Sequence, residues 1–457
     1  MCGRRGRLCH KEHPLYHVWP TSLHRCHMTH ATPCSNPNNK LLHRVKMTNS
    51  LIYPKQGDKA NSPWFEEFLV KLLEDRDRIG LTDMIREIDA LMITVEPGCS
   101  VAYVSELALM TPYHYLVTLE SESHWTHILR VDMNSPDVLV REVRDSSKHG
   151  IFRSLNEVYP IGAHKPNSRY MGEIFRVTNL HDVVELQKAR EIRFFNQDQI
   201  RKLELPGNMA LVKPSPYTHN IVGYWERPLD ELRVYALGNS VIRDDVNVGY
   251  LQAKETQKAL GLDQLILPID HLATRIYSQN REAAILEYLT LSSYYYWGSY
   301  DIANQNSSTN VTKSIHYADE SVSPAKVFTA ANHPYFVNHL VGLPSPTESF
   351  VRNYGPRLHH IALSVADGET HGVANIDYVV DAIKAKGKDF LLDVIGSREE
   401  GLKQIFSSAS EHSSLIVEYV QRFGDFDGFF TKQNVAGLTE AAGVEENLRL
   451  LQAESTI

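Results

Sequence analysis

Apolar positions recur with two periods along this chain, and the places where one period gives way to the other mark out its elements. Phe65, Phe68, Leu69, Leu72 and Leu73 stand at helical spacing behind Ser62-Pro63, which supplies an N-cap and a first-turn proline. The run TDMIREIDALM (82–92) reads as a second helix. Period-two alternation then predicts strands at HYLVTLE (114–120), HILRVDM (127–133) and EIFRVT (173–178). One helix, LHDVVELQKAREIRFF (180–195), is set among them, and Pro160, Pro166 and PSPY (214–217) punctuate loops. A helix at GYLQAKETQKALGL (249–262) closes this half near residue 263.

The second half uses one pattern twice. IDHLATRI (269–276) reads as a strand, REAAILEYLTL (281–291) as a helix, and SYYYWGSYD (293–301), STNVTKSI (308–315) and AKVFTA (325–330) as strands. RLHHIALSV (357–365) starts again, followed by a helix at 376–386 and strands DFLLDVIG (389–396), KQIF (403–406) and LIVEYVQRF (415–423). A tandem βαβββ arrangement makes the fold class α+β and curves a sheet so that its concave face can hold a metal.

The candidate chemistry lies on these strands. Val417-Glu418-Tyr419 puts a carboxylate inside an otherwise apolar strand, where an unpaired charge costs several kcal/mol. The strand carrying His359 and His360 offers one imidazole and His271 another. Two histidines and a carboxylate on strands are the ligand set of a non-haem Fe(II) oxygenase. Alternation groups Ile269, His271 and Ala273 on one face, Leu358, His360 and Ala362 on a second, and Ile416, Glu418 and Val420 on a third. It also sends His359 to the opposite face from His360. The first-half histidines (His114, His124, His127, His149, His164, His181, His219) are scattered and read as surface or satisfied core residues. Alternation through Tyr294-Tyr295-Tyr296-Trp297 gives half of that run to core packing and leaves the other half free to line a pocket.

Charge narrows the picture. Residues 1–46 hold eight of the 47 Lys/Arg and one of the 55 Asp/Glu, leaving 39 basic and 54 acidic residues, a net of −15, for 47–457. A body that acidic argues against nucleic acid as a partner. No run of 18 apolar residues offers a membrane span. Four of five cysteines (Cys2, Cys9, Cys26, Cys34) lie in the first 46 residues without finger-like spacing, so that segment reads as a disordered or non-native leader. Only Cys99 remains beyond it, which suits a reducing compartment, the cytoplasm.

Taken together, LHHIALSV, KQIF, IVEYVQR and the following GF-x4-N resemble the C-terminal domain of the 4-hydroxyphenylpyruvate dioxygenase family, in the vicinal-oxygen-chelate superfamily. Ile269-Asp270-His271 matches that family's I-D-H strand, and the match covers roughly residues 265–440. The resemblance implies two domains of tandem βαβββ modules: a degenerate one at 47–263 and a catalytic one at 264–445, with a tail at 446–457. It implies Fe(II) held by His271, His360 and Glu418, Gln404 as a substrate contact, and Phe429 packing on the substrate ring. It places polar groups for the keto acid in 304–311 and a closing helix at Asn434–Ala442, with Gly424 and Gly428 as hinges. The implied partners are a small 2-oxo acid and O2, and the implied reaction turns 4-hydroxyphenylpyruvate into homogentisate. Hydroxylation as in hydroxymandelate synthesis, and a non-catalytic binding protein on the same fold, are the other readings. A homo-oligomer is compatible with the pattern but not specified by it. This chain departs from the family at His359, which replaces Gln, at His333 in FTAANHP, and in GFFTKQNV, one residue longer with Val435 replacing Phe. Protein lacking residues 1–46 is expected to keep its fold and its bound metal; loss of metal or precipitation on truncation would make the leader structural.

Overall fold

The computed structural model describes residues 56–144, 152–229, 231–316, 323–344 and 346–454, with the side chains of 445–454 left aside. The leader expected at 1–46 lies outside the described residues. No helix among them is long and apolar enough to cross a membrane.

Two sheets are built to one plan. In the C-terminal half, Ile266–Ile276 pairs antiparallel with Arg357–Val365. Ala325–Ala331 runs parallel to the first strand and Ile416–Arg422 parallel to the second. Tyr294–Ile302 and Ser307–Ser314 extend this nine-stranded sheet on one side, Leu402–Phe406 and Ile395–Ser397 on the other. In the eight-stranded N-terminal sheet, Ile85–Val95 pairs antiparallel with Arg169–Val177, flanked in parallel by Asp137–Val143 and Ile221–Glu226. Even the irregularities correspond. Ile85, Ile88, Ala90, Met92 and Ile93 meet Val177, Phe175, Ile174, Gly172 and Tyr170, as Ile266, Ile269, His271, Ala273 and Thr274 meet Val365, Leu363, Ala362, His360 and Leu358. Gly223 lies opposite Ile174 as Glu418 lies opposite Ala362.

By this register Ala90, Gly172 and Gly223 occupy the places of His271, His360 and Glu418. The N-terminal module pair therefore has no donor at any of the three positions. Its inner face is filled instead by Met92, Leu139, Met171, Leu205, Met209 and Leu211. The opposite faces of both sheets share one core with the helices, in which Leu107 and Tyr113 join Leu363, Val379 and Tyr419. The Tyr419 hydroxyl donates to the Met110 carbonyl (2.7 Å), and Lys326 meets Glu173 across the two sheets (3.0 Å), both nearly fully buried.

Elements that differ from their predicted form include the helix expected over 180–195, which stops at Ala189 while Phe194 bridges Val212. Only Leu81–Met84 of the 82–92 run is helical; Ile85–Val95 is a central strand. Two bulges, between Ile85 and Ile88 and between Ile88 and Ala90, break strict alternation and leave apolar residues at spacings that mimic a helix. In DFLLDVIG only Ile395–Ser397 pairs, while Phe390 makes an isolated bridge to Ser407. Its apolar side chains pack to both sides, Phe390 and Val394 on the main core and Leu391 and Ile395 on a smaller cluster, without needing a ladder. The last helix begins at Lys432, with Thr431 accepting from the Asn434 backbone, and runs to Glu454 rather than ending at Ala442.

At the seam between the halves, the Ser215 hydroxyl donates to Glu287. Burial, only partly offset by that bond, pushes the Glu287 carboxyl up to about 7 from 4.5. A folded-state value above the unfolded one means the fold holds an extra proton between the two, so stability is lost as pH rises from about 4.5 to 7. Glu287→Gln is expected to be more stable than the parent by about 3 kcal/mol at pH 8 and by nothing at pH 4, read by urea unfolding at both.

Candidate metal centre

His271, His360 and Glu418 come together although 89 and 58 residues separate them in order, because the register of three neighbouring strands brings them to one spot. His271 Nε2 and His360 Nε2 each lie 3.1 Å from Glu418 Oε2, and 3.3 Å from each other. All three residues are buried. Adjacent donors on an octahedral ion with bonds of about 2.1 Å stand about 3 Å apart, so this donor set fits one face of such an ion.

Each ligand is held from behind. His271 donates Nδ1–H to Asp270 Oδ1 (2.7 Å), and Arg422 clamps Asp270 with both terminal nitrogens. Gln404 donates from Nε2 to Glu418 Oε1 (2.6 Å). His360 Nδ1 lies 2.8 Å from His359 Nδ1. With His360 Nε2 turned to the ion site, its Nδ1 carries the proton and donates to His359. His359 is thus not on the opposite face, as strict alternation requires. Ala273 and Thr274 are paired with His360 and Leu358, so His359 is the extra residue of a bulge, and both imidazoles contact the Phe406 ring.

The electrostatics follow from crowding in a dry site. Burial raises the Glu418 carboxyl, but the His271 charge and both imidazole bonds outweigh it and bring it to about 2. Burial lowers His271, and Glu418 with Asp270 overturns that, lifting it to about 9. Burial wins at His360, which is lowered. In the metal-free protein the cluster thus favours an ionised Glu418 facing a positively charged imidazole.

The donors open into a cleft of about 460 Å³, walled by Ala273, Val327, Phe406, Phe430, Val435 and Leu438, with Gln404 and His359 beside the ligands. Gln404 Oε1 is buried there with no protein donor among the described residues. Phe429 is not a lining residue. Its ring backs His271 (centroids 5.6 Å apart) and Trp297, and its carbonyl accepts from Arg422. Phe430 takes the wall position, consistent with a segment one residue longer than the resembled pattern. From 304–311 only Thr309 reaches the cleft, on the strand Ser307–Ser314. None of Tyr294, Tyr295, Tyr296 or Trp297 lines it: Tyr294 bonds the Pro324 carbonyl and Tyr296 bonds Asn310. The sequence reading missed the roles of His359, Arg422 and Phe430. Arg422 was findable, since alternation puts it on the face of Glu418.

No family model matches the chain, and no curated protein matches it. Among solved structures it is similar to a mutant of 4-hydroxymandelate synthase from Streptomyces coelicolor, at 15% identity over 79% of this chain and 99% of that one, TM-score 0.54. It is also similar to a fusion of a xylose isomerase-like TIM barrel with 4-hydroxyphenylpyruvate dioxygenase, at 12% identity over 86% of this chain and 60% of that one, TM-score 0.50. The likeness is one of fold, and it establishes the vicinal-oxygen-chelate architecture.

His271→Ala, His360→Ala and Glu418→Ala are each expected to abolish stoichiometric metal binding, measured by elemental analysis of purified protein. His359→Phe, which removes the acceptor behind His360, should weaken metal binding by about ten- to hundredfold, whereas His359→Gln keeps an acceptor and should stay near the parent.

Proposed function

We propose that this protein is an Fe(II)-dependent dioxygenase, with His271, His360 and Glu418 as ligands, that oxidatively decarboxylates an aryl 2-oxo acid, foremost 4-hydroxyphenylpyruvate. The observation that carries the reading is the convergence of two Nε2 atoms and one carboxylate oxygen, 3.1 to 3.3 Å apart, at the wall of an apolar cleft. The fold it shares with 4-hydroxymandelate synthase and a 4-hydroxyphenylpyruvate dioxygenase fusion supports it. Bound at three positions with three left open, Fe(II) supplies chelation of a 2-oxo acid and activation of O2.

The chain's own residues set the stage. Asp270 and His359 fix the tautomers that aim both Nε2 lone pairs into the site. Gln404 orients Glu418 and presents Oε1 to a ligand hydroxyl or a water. Phe406, Phe430, Val435 and Leu438 exclude water and hold an aromatic ring. The closing helix from Lys432 contributes Val435, Leu438 and Thr439 to this wall, so ring access depends on how that helix sits. In the overall reaction O2 is consumed and CO2 released, with one oxygen atom entering the new carboxylate and the other a new hydroxyl. Hydroxylation of the ring with side-chain migration gives homogentisate; hydroxylation of the benzylic carbon gives 4-hydroxymandelate. Cys99, the one cysteine after residue 46, suits a reducing, cytoplasmic setting for such chemistry.

Fe(II)-loaded protein is expected to take up O2 and release CO2 in equal amounts with 4-hydroxyphenylpyruvate, and Glu418→Ala to do neither. Absence of uptake across aryl and alkyl 2-oxo acids, at one bound iron per chain, would refute the proposal. Product identification separates homogentisate from 4-hydroxymandelate.

A further inference from the structure

A second cavity, of about 390 Å³, lies at the seam of the two halves and shares no lining residue with the metal cleft. Its walls come from the loop ahead of Ile221–Glu226, the helix Arg281–Leu291 and the strand Ala325–Ala331. That strand serves both spaces by alternation, with Val327 and Thr329 in the cleft and Lys326 and Phe328 here. Two polar residues of the cavity have bonding capacity that the protein leaves unused. Asn220 is 7% exposed, and neither its Oδ1 nor its Nδ2 has a partner. A buried amide with both ends unmet is costly, so a group from outside the chain is needed to complete it.

Glu287 is the second residue. The Ser215 hydroxyl accepts from the Tyr217 and Thr218 backbones (3.1 Å each), and its one proton goes to Glu287 Oε2. Glu287 Oε1 has no donor among the described residues, and no Lys, Arg or His there forms an ion pair with it. The other charges around the cavity are engaged. Lys326 meets Glu173 (3.0 Å), and Lys213 lies over the Phe195 ring. Ser215 also donates its N–H to the Asn220 carbonyl (2.9 Å), so one serine holds both residues in a common frame. The seam thus presents a carboxylate from one half and an amide from the other, with no protein cation to match the charge.

We infer that this cavity is a monovalent-cation site, in which an ion of K+ size binds Glu287 Oε1 and Asn220 Oδ1 and ties the two halves together. Water completes the shell, and Asn220 Nδ2 donates to one such water. A single carboxylate beside a neutral amide suits a singly charged ion, because a divalent one would bring a surplus charge into the seam.

The ion competes with a proton. Burial pushes the Glu287 carboxyl up to about 7, so below that pH the proton holds it and above it the ion does. Glu173, Lys213, Tyr217, His219, Tyr288 and Lys326 are the titratable groups around it. Glu173 and Lys326 neutralise one another, burial raises both tyrosines, and burial lowers His219 to about 4. Glu287 is therefore the group whose charge changes between pH 6 and pH 8.

The test is equilibrium dialysis of the full chain against radioactive Rb+ in choline buffer. His271, His360 and Glu418 are first occupied by a divalent ion, so that Rb+ does not report on them. The parent should take up about one Rb+ per chain at pH 8, displaced by K+ and NH4+ but not by choline. Its dissociation constant should be about tenfold higher at pH 6, as competition with one proton requires. Glu287→Gln should abolish uptake, and Asn220→Leu should weaken it by about tenfold or more. No saturable uptake by the parent at pH 8 overturns the site and leaves the cavity to water. Uptake that ignores pH, or that survives Glu287→Gln, overturns the assignment to Glu287. The pH comparison needs only the parent, so the decision does not hang on how either variant folds.

Discussion

A carboxylate sunk in an apolar strand has to be neutralised where it stands, and Glu418 sets that demand for the whole C-terminal half. Glu418 is 1% exposed and its strand neighbours Ile416, Val417, Tyr419 and Val420 are buried, so bulk water does little to offset its charge. Two imidazoles must therefore arrive within hydrogen-bonding reach, and both sit on strands whose position is fixed by pairing rather than by loops. Strand register is an all-or-none property, since a slip of one residue exchanges faces. The site thus inherits the rigidity of the sheet. Holding the imidazoles then creates needs of its own, which Asp270, Arg422 and His359 meet, and each of these brings a further contact, to Phe429, Ser364 or Phe406.

How much of this could be read from the residues alone follows from where pairing is regular. Strands with unbroken register, such as 325–331 and 416–422, stood out, and so did the candidate donors, because Glu and His are rare on buried strand faces. Bulges hid the rest. Those in Ile85–Val95 disguised a central strand as a helix, and the one at His359 turned a residue expected on the far face toward the site. Phe429 and Phe430 lie in an irregular segment, where a shift of one place decides which ring faces the cleft and no periodicity records it. Asn220 and Glu287, 67 residues apart, become meaningful only once both are known to line one cavity. That adjacency belongs to the fold, not to the local chain.

The two halves share a core but divide the labour. The helices and outer sheet faces make one continuous apolar body, and the buried Lys326–Glu173 pair spans it. Such a pair adds little net stability against an apolar alternative, but losing one partner strands the other. The sheet that carries His271, His360 and Glu418 is thereby backed by a second sheet of the same design, with an inner face closed by Leu205, Met209 and Leu211.

That closed face also limits what could stand at its positions. Gly172 holds φ +154°, and a Cβ there would fall 1.9 Å from the Ile221 carbonyl oxygen. A Cβ at Gly223 would come within 2.6 Å of Leu211. A histidine at position 172 would therefore meet the backbone of the neighbouring strand, whereas a glutamate at 223 would have to displace the Leu211 side chain. The N-terminal sheet is thus kept from offering a matching donor set by packing at position 172 as well as by the residues at its three positions.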